Sequence, residues 1–335
     1  MAFNIVILLA SLLLILFCCI VFVNAIELLG KAFNLHQGIV GSILAAIGTA
    51  MPETLIPIIA ILFTGGKGSR DVGIGAIAGA PFMLATLAFF ITGAAIFVYS
   101  LLGKRTTRMS ADLGSFERDL VFFIIYYGIA VSATFFHNLI AIKSIVAFCL
   151  LASYPVYLWW TVKSEGKEIE NVGELYLSRF TRLPFTVPVI VLQLGLSLVL
   201  LVVGAHYFVV YVQALSFSMG VSPLILSLII TPIATELPEK INSIIWVGKD
   251  KDTLALGNIT GAMVFQSCFP VVFGMLFTEW NLKGATLVSA ACALASAIVV
   301  LAWVKVRKSI NPFVLCAGGA FYCALILHIV FLWKK

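Results

Sequence analysis

Residues 46–53 read Ala46-Ile47-Gly48-Thr49-Ala50-Met51-Pro52-Glu53, and residues 232–239 read Pro232-Ile233-Ala234-Thr235-Glu236-Leu237-Pro238-Glu239. The Ile, Thr, Pro and Glu of the first octet recur at the same places in the second. Further along, Gly75-Ala76-Ile77-Ala78-Gly79-Ala80 is matched by Gly257-Asn258-Ile259-Thr260-Gly261-Ala262, again with both glycines, the Ile and the last Ala shared. Two matches in the same order, at nearly equal spacing and inside apolar runs, mark an internal duplication.

The chain around these octets is 62% hydrophobic and only 11% charged. A soluble domain carries roughly 25% charged residues, so this surface suits lipid rather than water. A span needs about 20 apolar residues, which predicts helices at 3–29, 38–63, 73–102, 119–136, 140–162, 185–215, 220–247, 254–278, 284–304 and 312–333. The fold class is therefore an all-α polytopic membrane protein with ten transmembrane helices in two inverted five-helix repeats. Residues 1–162 form the first repeat, 163–184 a polar cytoplasmic linker and 185–335 the second repeat. An odd number of spans per half turns the second half upside down relative to the first, as in many secondary transporters.

Loop charges orient the chain. One set of loops collects Lys31, Lys104, Arg105, Arg108, Arg118, Lys163, Lys167, Arg179, Arg182, Lys249, Lys251, Lys305, Arg307 and Lys308. The other has only Lys67, Arg70, Lys143, Lys283, Lys334 and Lys335. The richer side is cytoplasmic by the positive-inside rule, which leaves both termini extracytoplasmic. Basic residues dispersed between apolar runs exclude nucleic acid as a partner, and Lys249-Asp250-Lys251-Asp252 reads as a solvated turn. The seven cysteines fall in apolar stretches without metal or disulfide spacing and read as buried thiols. His206 reads as a packed histidine rather than a ligand.

Charge inside a span is costly, at least roughly 2.5–3.5 kcal/mol per side chain. Away from span ends the sequence places Glu53, Glu236, Glu239 and Lys240 there, all in or beside the octets. Pro52 and Pro238 lack an N–H and crowd the carbonyls of Gly48 and Ala234, so each motif helix is expected to kink and free backbone oxygen. Thr49 and Glu53, like Thr235 and Glu239, share a face at a spacing of one turn. Carboxylate, hydroxyl and carbonyl oxygens suit hard cations such as Ca²⁺ or Na⁺. Two carboxylates balance one divalent ion or two monovalent ones. Glu236 and Lys240 stand in the favourable order for a helical ion pair; unpaired, Glu236 is a third carboxylate and a candidate proton carrier. The Gly75/Gly79 and Gly257/Gly261 pairs serve close helix packing.

At these residues the chain resembles the calcium/cation antiporter superfamily, in particular its prokaryotic sodium/calcium exchanger-like branch, as a divergent member. The resemblance implies ten helices in two inverted fives, with the first and sixth as a long tilted pair that slides to alternate access. It implies that Glu53 and Glu239 are the central ion-binding glutamates and that Thr49 and Thr235 flank them. Glu236, Gln266 and Ala46 complete the candidate cation-binding set. The family's serine after the threonine is Ala50 in one half and Glu236 in the other. The serine after the second glycine is Ala80 and Ala262, and the asparagine or aspartate beyond it is Leu84 and Gln266.

The expected function is secondary active antiport of a cation, Ca²⁺ against Na⁺ or H⁺, at a midplane site. The chain is expected to be a transporter rather than an enzyme, to use no cofactor, and to act as a monomer in a prokaryotic plasma membrane. Its partners are inorganic cations and the lipid bilayer. The alternatives are a proton-coupled exchanger of another cation, an intramembrane metal-dependent enzyme, or a relative without transport. No His cluster, Asp-rich motif or Ser-Lys signature favours the enzyme.

Overall fold

The computed structural model describes residues 1–32, 51–164, 174–181 and 184–333, without the side chains of residues 30, 31, 51, 67, 162–164, 180, 181, 237–239, 242, 332 and 333. The described chain is helical: α1 (Ala2–Ala32), α2 (Met51–Ile58), α3 (Lys67–Met83), α4 (Phe89–Leu101), α5 (Leu113–Ser132), α6 (Ile140–Ser164), α7 (Tyr176–Thr181), α8 (Val187–Met219), α9 (Pro223–Val247), α10 (Asp252–Phe277), α11 (Ala285–Arg307) and α12 (Pro312–Trp333). Among the described residues, eight helical stretches are long and apolar enough to cross a membrane, and Pro52–Phe63 and Pro223–Glu236 are shorter apolar helices. The protein is an integral membrane protein.

Two helices are longer than a bilayer requires. At 1.5 Å per residue, α1 and α8 reach about 46 Å and about 50 Å, from 31 and 33 residues, against a hydrocarbon core of about 30 Å, so they tilt. α8 starts with a proline in its first turn and stops at Gly220, whose φ of 67° is left-handed, the usual asymmetry of helix ends. The two pack along each other: a Cβ at Gly204 would lie 2.9 Å from Ile15 Cγ1. Ile15, Cys18, Phe22 and Ile26 of α1 share a buried cluster with Leu201, Ala205, Phe208 and Val212 of α8. Leu9, Leu13 and Phe17 on α1, and Leu196, Val199 and Val203 on α8, are exposed. An apolar face of this extent fits lipid contact.

A second cluster joins α3, α5, α6, α10, α11 and α12 through Phe82, Phe123, Tyr154, Met263, Val300 and Leu325, with Trp280 from the loop before α11. Between the two clusters, α3 lies on α9 through its glycines. A Cβ at Gly75 would sit 2.5 Å from Leu224 O, and one at Gly79 would meet Leu228 O and Pro232 Cγ. Pro232 has no N–H for the carbonyl of Leu228, so the smallest residue faces a carbonyl that its own helix leaves free. Gly79→Ala is expected to push α3 off α9 and cost about 1–3 kcal/mol, the usual penalty of overpacking. Thermal unfolding of the purified protein measures it. Gly257 and Gly261 meet nothing as close among the described residues, Gly261 lying 4.0 Å from Tyr157 Oη.

Several expectations need correction. Besides the expected kinks at Pro52 and Pro238, irregular turns follow Pro57 and Pro81, as π segments at Ile59–Phe63 and Leu84–Ala88. α5 begins at Leu113, ahead of the predicted residue 119, since Asp112 accepts hydrogen bonds from the backbone of Gly114 (3.1 Å) and Ser115 (3.2 Å); that is an N-cap. His206 is not packed in a core: it is exposed on α8, with Nδ1 3.5 Å from Thr64 Oγ1. All seven cysteines are free, and only Cys18, Cys19 and Cys268 are buried. The linker contains α7, held by polar groups of the long pair: Leu177 N donates to Gln193 Oε1 (2.7 Å), and Tyr176 N to Asn24 Oδ1 (3.3 Å).

The expected solvated turn at 249–252 holds for Lys249, Asp250 and Lys251, which are exposed, but not for Asp252. Asp252 is 1% exposed and Arg105 is 8% exposed. Arg105 Nη1 and Nη2 donate to the two carboxylate oxygens of Asp252 at 2.8 and 3.0 Å. The guanidinium also reaches the carbonyls of Val247 (2.6 Å), Arg108 (2.9 Å) and Thr106 (3.0 Å). Hydrogen bonding to Asp252, above all, holds its pKa above the ordinary arginine value. This clamp joins the α4–α5 loop to the α9–α10 loop at one end of the bundle. At the other end, Thr134 Oγ1 donates to Trp280 O (3.0 Å), and Lys143 Nζ to the carbonyls of Thr278 and Glu279 (both 3.2 Å).

Candidate cation-binding site

The second octet lies on α9, where Thr235, Glu236 and Lys240 are all 2% exposed or less. Thr235 Oγ1 donates to the carbonyl of Thr231 at 3.1 Å. One turn earlier, Ser227 Oγ donates to Val72 O at 2.7 Å and lies 2.9 Å from Thr231 Oγ1. Hydroxyls thus tie the N-terminal half of α9 to α3. Glu236 Oε2 lies 3.4 Å from Lys240 Nζ, so the side chains pair on one face of a continuous helix. Glu236 Oε1 accepts a hydrogen bond from Gln266 Nε2 of α10, and Gln266 is 2% exposed.

From the first octet, Glu53 lies in the first turn of α2 and is 5% exposed. α2 touches α3, α8, α9 and α10, so the helix bearing Glu53 borders the helices bearing Glu236 and Gln266. Ala46 and Thr49 lie outside the described residues, as does the side chain of Glu239, whose backbone is in α9. The structure therefore brings Thr235, Glu236, Lys240 and Gln266 into one buried region.

Two prolines escaped the sequence reading. Pro57 in α2 has no N–H for the carbonyl of Glu53, and Pro270 in α10 has none for the carbonyl of Gln266. Each helix thus offers a backbone oxygen beside a polar residue of the site, and the signal was a proline four residues after it. Asp119 also escaped, because the late start assigned to α5 put it at a span end. It is 3% exposed. Its Oδ2 accepts from Thr260 Oγ1 (2.8 Å); its Oδ1 accepts from Tyr157 Oη (3.2 Å) and from Arg118 Nη2 (2.9 Å) and Nε (3.1 Å). Thr260 belongs to the duplicated Gly257–Ala262 stretch, so this carboxylate orients α10 from α5. The set of carboxylate, amide, hydroxyl and carbonyl oxygens suits a hard cation.

Known proteins agree with this architecture. The family described as sodium/calcium exchanger protein matches residues 3–163 and 189–333. The chain is 27% identical over 262 residues to the inner membrane protein YrbG of Escherichia coli, covering 77% of this chain and 75% of that one. It is 22% identical to the membrane protein MJ0091 of Methanocaldococcus jannaschii, covering 76% of each. Among solved structures, the H⁺/Ca²⁺ exchanger CAX superposes with a TM-score of 0.71 at 14% identity, covering 98% of this chain and 86% of that one. The sodium-calcium exchanger NCX_Mj superposes with a TM-score of 0.58 at 20% identity, covering 97% of each chain. The duplicated octets, the buried oxygen groups and this match over both halves agree, and the chain belongs to the sodium/calcium exchanger protein family, a family of membrane transporters rather than enzymes.

Proposed function

We propose that this protein is a secondary active antiporter exchanging Ca²⁺ for Na⁺ or H⁺ by alternating access, with Glu53 and Glu239 as its ion-binding carboxylates. Thr49, Thr235 and Ala46 supply neighbouring oxygens, and Glu236 and Gln266 line the second-half side. The observation that carries the reading is Glu53. It is 5% exposed, it belongs to a duplicated motif, and its helix touches both α9 and α10. A membrane interior holds such a group at a cost, which an ion-binding role explains.

Ten helices in two inverted repeats, 1–162 and 185–335, suit this function. The loop after the third span of the first half is clamped to the α9–α10 loop by Arg105 and Asp252. The loop after the third span of the second half is bonded to Thr134 and Lys143. Equivalent loops at opposite ends are what inversion requires. The α1–α8 pair, whose buried cluster also takes in Ile56, Ile59, Val72 and Leu226, is the unit that slides against the rest. The excess of basic residues in these loops supports a cytoplasmic Arg105–Asp252 end, with both termini outside.

Within this reading, H⁺ rather than Na⁺ as the coupling ion is favoured by the oxygens missing at Ala50, Ala80, Leu84 and Ala262, which thin the sodium ligands. Proteoliposomes loaded with ⁴⁵Ca²⁺ separate the two. An inward Na⁺ gradient is expected to drive ⁴⁵Ca²⁺ out if Na⁺ is the coupling ion, and an inward proton gradient if H⁺ is. Efflux no faster than from protein-free vesicles under either gradient would contradict both.

A further inference from the structure

Lys240 is a buried ammonium that ion transport does not itself require. We propose that it is a tethered cation of the transport site: it neutralises Glu236 permanently, so that only the charges of Glu53 and Glu239 are left for the ions that move. The inference rests on the cation-site reading above and sets its charge capacity at one divalent or two monovalent ions per cycle. Exchange of Ca²⁺ for two monovalent cations is then electroneutral.

The geometry supports this more than a simple helix tie. Glu236 and Lys240 are 1% and 2% exposed. Both carboxylate oxygens of Glu236 are taken by the protein, one facing Lys240 Nζ at 3.4 Å and the other accepting from Gln266 Nε2. A mobile cation at Glu236 must displace an ammonium that is covalently attached one turn away, at high effective concentration. Yet the pair is poorly built as a structural bond. Charge-assisted hydrogen bonds are about 2.7–2.9 Å long, and among the described residues neither Lys240 Nζ nor Gln266 Oε1 has a hydrogen-bond partner. The Arg105–Asp252 pair of the same chain is bidentate at 2.8 and 3.0 Å, with further bonds to carbonyls. Lys240 thus faces Glu236 by charge rather than by a directed bond.

The duplication gives a second line of argument. Position 236 matches Ala50 of the first octet, where no charge stands, and Lys240 matches Thr54. Glutamate and lysine enter together, on one half only. Their charges cancel, so the net charge of the site is that of the two duplicated glutamates.

The test is equilibrium ⁴⁵Ca²⁺ binding to the purified full-length protein in detergent, which needs no transport. Lys240→Met leaves three carboxylates and no ammonium, and should bind Ca²⁺ at least about tenfold more tightly, because a positive charge near the ion is removed. Lys240→Arg keeps the charge and should show no such gain. The double variant Glu236→Gln/Lys240→Met should fall back toward the wild type. Glu236→Gln alone leaves the ammonium uncompensated and should weaken binding by about tenfold or more. A purely structural lysine would give weaker or unchanged binding in Lys240→Met, and that result overturns the proposal while leaving the cation site in place. Should Lys240→Met fail to fold, unchanged affinity in Glu236→Gln overturns it instead. Wild-type protein that binds no Ca²⁺, with Glu53→Gln equally silent, removes the cation-site reading and the proposal together.

Discussion

Glu53→Gln is expected to lower Ca²⁺ exchange by the wild-type protein on the order of a hundredfold or more, with folding retained. The substitution preserves size and leaves an oxygen but removes one of the two charges that balance a divalent ion. Each tenfold is about 1.4 kcal/mol, and losing a carboxylate from a Ca²⁺ site forfeits several times that in gross attraction. Glu53 is 5% exposed, so water cannot replace the lost charge cheaply. Initial rates of ⁴⁵Ca²⁺ flux in proteoliposomes give the number. Retention of more than a tenth of the wild-type rate would remove Glu53 from the site. Because the variant also sheds a buried charge, its unfolding temperature should hold or rise, which separates a functional loss from collapse of the helix.

The second large effect is on stability. Arg105→Ala is expected to destabilise the protein by about 3–5 kcal/mol, since it leaves a buried carboxylate without its partner. Asp252 has no exposed side-chain surface, and besides Arg105 it accepts from Ser110 N at 2.9 Å. Asp252→Ala should cost a similar amount, and the double variant less than the sum, because neither charge is then stranded. Tryptophan fluorescence during thermal unfolding reads all three. Strictly additive losses would mean that the two residues act independently. The clamp ties α4–α5 to α9–α10, so its loss should also lower transport, by disturbing the angle of the helices that carry Glu236 and Gln266.

The helices were legible because hydropathy and length are local. The site helices were recognisable from the repeated octets, and the Glu236–Lys240 pair from a spacing of one turn. What the sequence did not reveal depends on rotation and partner choice. The bond from Gln266 to Glu236 joins residues 30 positions apart, and it forms only because α10 presents that face to α9. Asp252 looked solvated because its neighbours Lys249, Asp250 and Lys251 are charged; its burial follows from Arg105, 147 positions away. The earlier start of α5 was visible in Asp112 and Ser115 as a cap, but hydropathy alone passes over a polar first turn, and Asp119 was lost with it.

In alternating access one buried site opens to each side of the membrane in turn, and counterflow reads that turnover. Vesicles containing the reconstituted protein are preloaded with unlabelled Ca²⁺, and ⁴⁵Ca²⁺ is added outside with no other gradient. An alternating site must return loaded, so entry of label is expected to accelerate several-fold over vesicles without internal Ca²⁺, and Glu53→Gln should abolish the acceleration. Label entry that is indifferent to internal Ca²⁺ would contradict the account.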